Sequence, residues 1–153
     1  MTIPTQNFGE ITINPADIIN FDEGLPGFNT NTRFIILFQE SDDGDQPNPV
    51  SFLQSVDSAD LCFVLVDMVS FNPEYAPMVL PFAEKENFDI TGATAIYNIA
   101  TVYEDMAQTT VNLKGPVLVD FDRKKGKQII CAGDEFPLRA KLFAQVEESA
   151  GDA

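Results

Sequence analysis

Most apolar runs in this chain are short, and each is cut by Gly, Pro, Asn or Asp. That punctuation most limits what the 153 residues can build. Short β-branched and aromatic runs bounded by turn residues read as strands, and strands this short need many neighbours. Ile11-Thr12-Ile13 alternates and stops at Asn14-Pro15; Asp17 to Phe21 follows. Asp22 to Phe28 is a turn in which Gly24 and Gly27 supply φ > 0 and Pro26 stiffens the chain. Arg33 to Phe38 and Val50 to Val56 read as strands. Cys62 to Val66 is apolar on both faces, which predicts a central strand.

Further along, Phe71 to Pro77 holds two prolines and reads as an edge or loop. Pro81 to Phe88 reads as a short helix with proline in its first turn. Thr94 to Tyr103 and Thr110 to Lys114 return to strand character. Val117 to Phe121 and Lys127 to Cys131 read as a hairpin around a basic turn, with Gly126 at a φ > 0 position. Leu142, Phe143 and Val146 are at helical spacing within Arg139 to Glu148, which predicts a C-terminal helix. The last residues, from Ser149, are expected to fray. The predicted fold is all-β: one antiparallel barrel- or sandwich-like domain of about nine to ten short strands with one or two short helices. Residues 1–139 form the expected β domain and 140–153 a tail.

Charge narrows the chemistry. Twenty-four Asp and Glu oppose nine Lys and Arg, giving a net charge of -15, and there is no histidine. Such a field favours basic partners and repels phosphate backbones. Without imidazole there is no Ser-His or Cys-His pair and no histidine metal ligand. From Met1 to Asp122 nineteen acids face three bases, a net of -16. Four of the six later bases fall in Arg123-Lys124-Lys125-Gly126-Lys127.

No run approaches the roughly 20 apolar residues of a membrane span. Met1-Thr2-Ile3-Pro4 carries no signal-peptide pattern. Cys62 and Cys131 lie in apolar runs and are expected as buried free thiols of a cytoplasmic protein.

The remaining constellations read as surface. Asp42-Asp43-Gly44-Asp45 lacks the EF-hand order and its twelfth-position Glu, so it reads as a solvated acidic loop, available for electrostatic steering. Asp22-Glu23 and Asp120 with Asp122 are carboxylate pairs. A glycosidase-type pair must face across a cleft, which sequence neighbours on a strand cannot do, so these read as turn caps. The basic turn has no interleaved aromatic and no phosphate-loop pattern, and reads as a hairpin tip rather than a nucleic-acid site. Phe52, Phe71 and Tyr75 read as core, with an exposed aromatic anchor as the other reading. No metal or cofactor is expected.

Seven segments in one order carry a resemblance. They are Phe8-Gly9-Glu10-Ile11, Phe21 to Phe28, Leu53-Gln54-Ser55-Val56, Cys62 to Asp67 with Phe71 to Tyr75, Asn112 to Val117, Arg123 to Gln128, and Phe136-Pro137-Leu138-Arg139. Over about Ile3 to Arg139 the chain resembles the flagellar assembly factor FliW family. Cys131 and the tail lie outside that pattern. The resemblance implies a non-enzymatic β-barrel-like cytoplasmic protein of a flagellated bacterium. Such proteins bind newly made flagellin and also the RNA-binding regulator CsrA, relieving its repression of flagellin translation.

On that reading Phe52, Gln54, Ser55, Asp57, Phe71, Tyr75, Asn112 and Lys114 are the candidate partner-binding residues, Asp42, Asp43 and Asp45 steer, and a monomer is expected. A carboxylate-dependent enzyme in a barrel mouth and a structural part of an acidic assembly are the alternatives.

Overall fold

The computed structural model describes residues 1–39 and 48–143. A hairpin of β1 (Thr2–Thr5) and β2 (Gly9–Thr12) precedes β3 (Ile19–Asn20), β4 (Arg33–Phe38), β5 (Val50–Ser55) and β6 (Cys62–Val66). Helix α1 (Tyr75–Lys85) follows, then β7 (Thr94–Thr101), β8 (Thr110–Val111), β9 (Val117–Asp120), β10 (Lys125–Gln128) and β11 (Ala140–Lys141). The sheet order is β11-β8-β7-β6-β5-β4-β3-β10-β9, and β9 also pairs with β7. That last pairing closes seven strands, β3 to β7 with β9 and β10, into a barrel; β8 and β11 extend from the other part of β7. The predicted all-β barrel is thus observed, with eleven strands and the helix α1 among the described residues. All pairings are antiparallel except β3 with β10.

Period-two alternation divides the apolar residues between two compartments. Phe34, Ile36, Leu53, Leu65, Tyr97, Val117 and Val119 point inward with Phe21 and Leu25 and fill the barrel. Val66, Ile96, Ala100, Val111 and Leu118 point outward and are covered by Tyr75, Val79 and Ala83 of α1. The two-faced apolar character of β6 has this cause: Phe63 and Leu65 face the barrel, Val64 and Val66 the helix side. The β1–β2 hairpin lays Ile3 and Ile13 on Ile35 and Val56 as a third cluster.

The structure corrects four local expectations. The helix starts at Tyr75, not Pro81. Pro77 lies in its first turn, where backbone N–H groups have no intrahelical acceptor, so that proline costs little. Pro81 does fall inside the helix, on the exposed side. The helix ends at Asn87, whose φ of 57° allows Phe88 N–H to reach the Ala83 carbonyl and its own N–H to reach that of Glu84, a Schellman closure.

At the basic turn the positive-φ residue is Lys124, not Gly126. Gly126 sits in β10 instead, where a Cβ would stand 2.3 Å from the ring of Phe21. Strand β10 begins at Lys125, two residues before the predicted Lys127. Ala140–Lys141 is strand rather than helix, because it pairs with β8; only Leu142 and Phe143 of the predicted helix are both helical and described. Gly24 and Gly27 have the expected positive φ. Cys62 and Cys131 are free thiols; Cys131 is buried as expected, whereas Cys62, at the start of β6, is only half-buried. The loop with Asp42, Asp43 and Asp45, and the chain after Phe143, lie outside the described residues.

Candidate partner-binding surface

Register carries one row of outward side chains across six strands: Leu37, Phe52, Val64, Ala100, Val111 and Ala140. Ala100, Val111 and Ala140 are buried in the cluster under α1. Leu37, Phe52 and Val64 are only half-buried. Phe8, at the tip of the β1–β2 hairpin and 40% exposed, packs edge-on against Phe52 with ring centroids 5.1 Å apart. Between hairpin and helix, therefore, lies an apolar strip that the fold leaves partly open. Phe71, half-buried, borders the helix-side cluster together with Val50, Val64 and Val69.

The candidate residues fall into two groups. Phe52, Phe71, Asp57, Asn112 and Lys114 retain accessible surface; Gln54, Ser55 and Tyr75 are buried. Gln54 Nε2 lies within hydrogen-bond reach of the carbonyls of Ser55, Ser58, Ala59 and Leu61, and so holds the β5–β6 turn in place. Ser55 Oγ accepts from the N–H groups of Asp57 and Ser58 in the same turn. Asp57 forms a bidentate pair with Arg33, and the guanidinium hydrogen bond holds its carboxyl below the usual range.

Tyr75 donates its hydroxyl to the Leu113 carbonyl at 2.6 Å and accepts from Asn98 Nδ2 at 2.8 Å. Burial drives its pKa far up. Asn112 Oδ1 accepts from the N–H groups of Lys114 and Gly115 and shapes the bend after β8. The two candidate segments, 52–57 at the end of β5 and 112–114 just after β8, therefore belong to strands separated by β6 and β7, and the second is anchored to α1.

Sequence reasoning missed Leu37, Val64 and Phe8, because only strand register brings them to Phe52. It also missed a second exposed apolar group, Val102, Tyr103 and Met106, on the β7–β8 connection. The local signal there was three large apolar residues around Glu104-Asp105.

The basic turn is not an open cationic patch. Lys125 Nζ lies 2.9 Å from Asp22, Lys127 Nζ lies 3.5 Å from Glu23 and 3.2 Å from Glu86, Lys124 reaches Asp17 at 4.0 Å, and Arg123 reaches Asp89 and Asp120. Burial alone would lower the Lys127 pKa, but hydrogen bonding to Glu86 and the charges of Glu23 and Glu86 raise it. All of these groups except Lys124 and Asp17 line a cleft of about 280 Å³. Its carboxylates face lysines and an arginine rather than one another. Among the described residues no three Asp, Glu or Cys side chains are grouped to hold a metal, and no helix is long and apolar enough to cross a membrane.

These features define the class: a small, acidic, closed β-barrel with one covering helix and a partly open apolar strip. The sequence profile of the FliW protein family matches residues 2–142. Flagellar assembly factor FliW of Desulfitobacterium hafniense is 35% identical over 150 residues, covering 97% of this chain and 95% of that protein. The corresponding factor of Thermoanaerobacter pseudethanolicus is 30% identical over 154 residues and covers 100% of both. A crystal structure of the flagellar assembly factor FliW superposes with a TM-score of 0.74 at 28% identity, over 93% of this chain and 96% of that one. The chain belongs to the FliW family of flagellar assembly factors.

Proposed function

We propose that this protein works in the cytoplasm as a partner-switching binder. It holds newly made flagellin, and when flagellin is withdrawn by secretion it captures CsrA and relieves repression of flagellin translation. No bond is made or broken in this cycle. The observation that carries the reading is membership of a family named for flagellar assembly, found in a chain of net charge -15.

The physical support is twofold. An RNA-binding regulator carries a basic surface, and an acidic exterior raises the rate and fixes the orientation of such an encounter. The strip Leu37–Phe52–Val64 with Phe8 offers apolar area that slows dissociation. Phe52, Phe71, Asp57 and Lys114 are the proposed contact residues. Gln54, Ser55, Tyr75 and Asn112 support them by fixing the two turns. Asp42, Asp43 and Asp45 are proposed to steer.

The test is a pull-down with the purified, monomeric protein against flagellin and CsrA from the same cell. Retention of both, with mutual displacement, is the expected result; retention of neither would overturn the proposal. CsrA binding should weaken several-fold from low to physiological salt, since exposed charges are screened over about 8–10 Å. Flagellin binding should change less, and equal salt slopes would refute the division of labour.

A further inference from the structure

The barrel closes through its weakest pairing. Strands β3 and β10 are parallel and share one residue pair in register, Lys125 with Asn20. Two hydrogen bonds reinforce it, both to the Lys124 carbonyl: the Asn20 N–H at 2.9 Å and the Asn20 side-chain amide at 3.5 Å. By contrast, β4 with β5 and β5 with β6 each share five residue pairs.

Three ion pairs run along this seam. Lys124 reaches Asp17, Lys125 reaches Asp22, and Lys127 reaches Glu23, each joining the β10 side to the segment around β3. Two more, Lys127 with Glu86 and Arg123 with Asp89, continue the line onto the end of α1 and the residues after it. Four of the chain's nine bases are thus concentrated at one closure, within a chain carrying twenty-four acids. Behind the seam Gly126 leaves room for Phe21, so side-chain packing from β10 adds little there. The 280 Å³ cleft lies along the same line.

We infer that the β3–β10 seam is an electrostatic staple, so that barrel closure loosens as ionic strength rises while the rest of the sheet does not. The three carboxylates are exposed and the lysines at least a quarter so, Lys127 being the most covered; each pair therefore contributes modestly and salt screens it. The rest of the chain should respond in the opposite sense. Screening relieves the self-repulsion of a -15 chain and favours the compact state. The seam alone should loosen as salt rises.

The experiment is native-state amide exchange on the full chain by NMR, from about 20 mM to about 500 mM NaCl. The Asn20 amide is expected to exchange about fivefold faster at high salt. Amides of β5 and β6 should change less than twofold or slow down. A Lys125→Met, Lys127→Met variant, which keeps only the Lys124–Asp17 pair, should show most of the fast rate already at low salt and lose most of the salt response.

An Asp22→Asn, Glu23→Gln variant tests the same staple from the acid side and keeps the inference falsifiable should the lysine variant not fold. It lowers net negative charge, so relief of self-repulsion alone would slow exchange; the staple requires faster exchange at Asn20. Seam amides that follow β5 and β6, a lysine variant that retains its salt response, or slowed or unchanged exchange in the acid variant would each overturn the inference.

Discussion

The Tyr75 hydroxyl lies 2.6 Å from the Leu113 carbonyl across 38 residues of sequence, and the same oxygen accepts from Asn98 Nδ2. This polar knot, buried among apolar side chains, ties the first turn of α1 to β7 and to the bend after β8. Tyr75→Phe removes the hydroxyl donor to the Leu113 carbonyl and one of the two acceptors of Asn98 Nδ2, which keeps the Asn112 carbonyl. Each buried group left unpaired costs of order 1–3 kcal/mol. The variant should lose about 2 kcal/mol in urea denaturation with an unchanged m-value, and the bend at Asn112–Lys114 should gain amide exchange.

Gly126→Ala should be worse than its size suggests. The added methyl would stand 2.3 Å from Cζ of Phe21, a ring that is wholly buried in the barrel. Neither β10 nor the ring can retreat without disturbing the closure. Overpacking of this kind costs about 1–3 kcal/mol, so a drop in thermal midpoint of several degrees is expected by calorimetry. A midpoint within one degree of the parent would show that the seam yields freely.

The barrel was legible where pattern and burial agree. Cys62 to Val66 is apolar at every position because one face meets the barrel interior and the other the helix side, and such a run has few other solutions. The helix was half-hidden. Tyr75, Val79 and Ala83 carry its buried face at a spacing of four, but Pro73 and Pro77 argued locally for a loop and Pro81 for a later helix start, and tertiary packing outweighed them.

The role of the basic turn was not readable at all. Its meaning depends on Asp17, Asp22, Glu23 and Glu86, which reach it only through barrel closure. The surface strip was hidden for the same reason. Phe52 was visible as an aromatic on a half-polar strand, but Leu37, Val64 and Phe8 join it only by register and hairpin docking.

Alkaline pH should destabilise the protein. Burial raises the Tyr97 phenol to about 12, aided by the charge of Asp67, and raises Tyr75 further. Both groups are held neutral in the fold and ionise near pH 10 once unfolded. Folded pKa values above the unfolded ones mean that this stability is fully present below about pH 10 and is lost as pH rises toward the folded values. Urea midpoints should fall steadily from pH 9.5 to 11.5, and Tyr97→Phe should flatten part of that fall. A midpoint independent of pH across this window would contradict the burial of these phenols.

Asn87→Gly should stabilise. The residue holds φ at 57° to close α1, a conformation that glycine adopts without the Cβ penalty. Against this, glycine adds freedom to the unfolded chain. The net gain should be about 0.5 kcal/mol, read as a higher urea midpoint, with Asn87→Ala lower than the parent.

Phe8 and Phe52 supply the sharpest test of the proposed surface. Their rings meet edge-on at the open end of the apolar row, and Phe8 remains 40% exposed. A residue that serves only the core loses stability when truncated, and loses binding only through unfolding. A contact residue loses binding while the fold persists. Phe8→Ala removes a ring from the hairpin tip and should cost little stability, because the hairpin is held independently by Ile3 and Ile13 on Ile35 and Val56. If the strip contacts flagellin, truncating a central aromatic anchor should weaken affinity by about tenfold, measured by calorimetric titration well below the thermal midpoint. The same substitution should leave the salt slope of CsrA binding unchanged, since that slope counts charges and not rings. Unaltered flagellin affinity in Phe8→Ala and Phe52→Ala together would move the contact away from this strip. Val102, Tyr103 and Met106 would then be the next surface to probe.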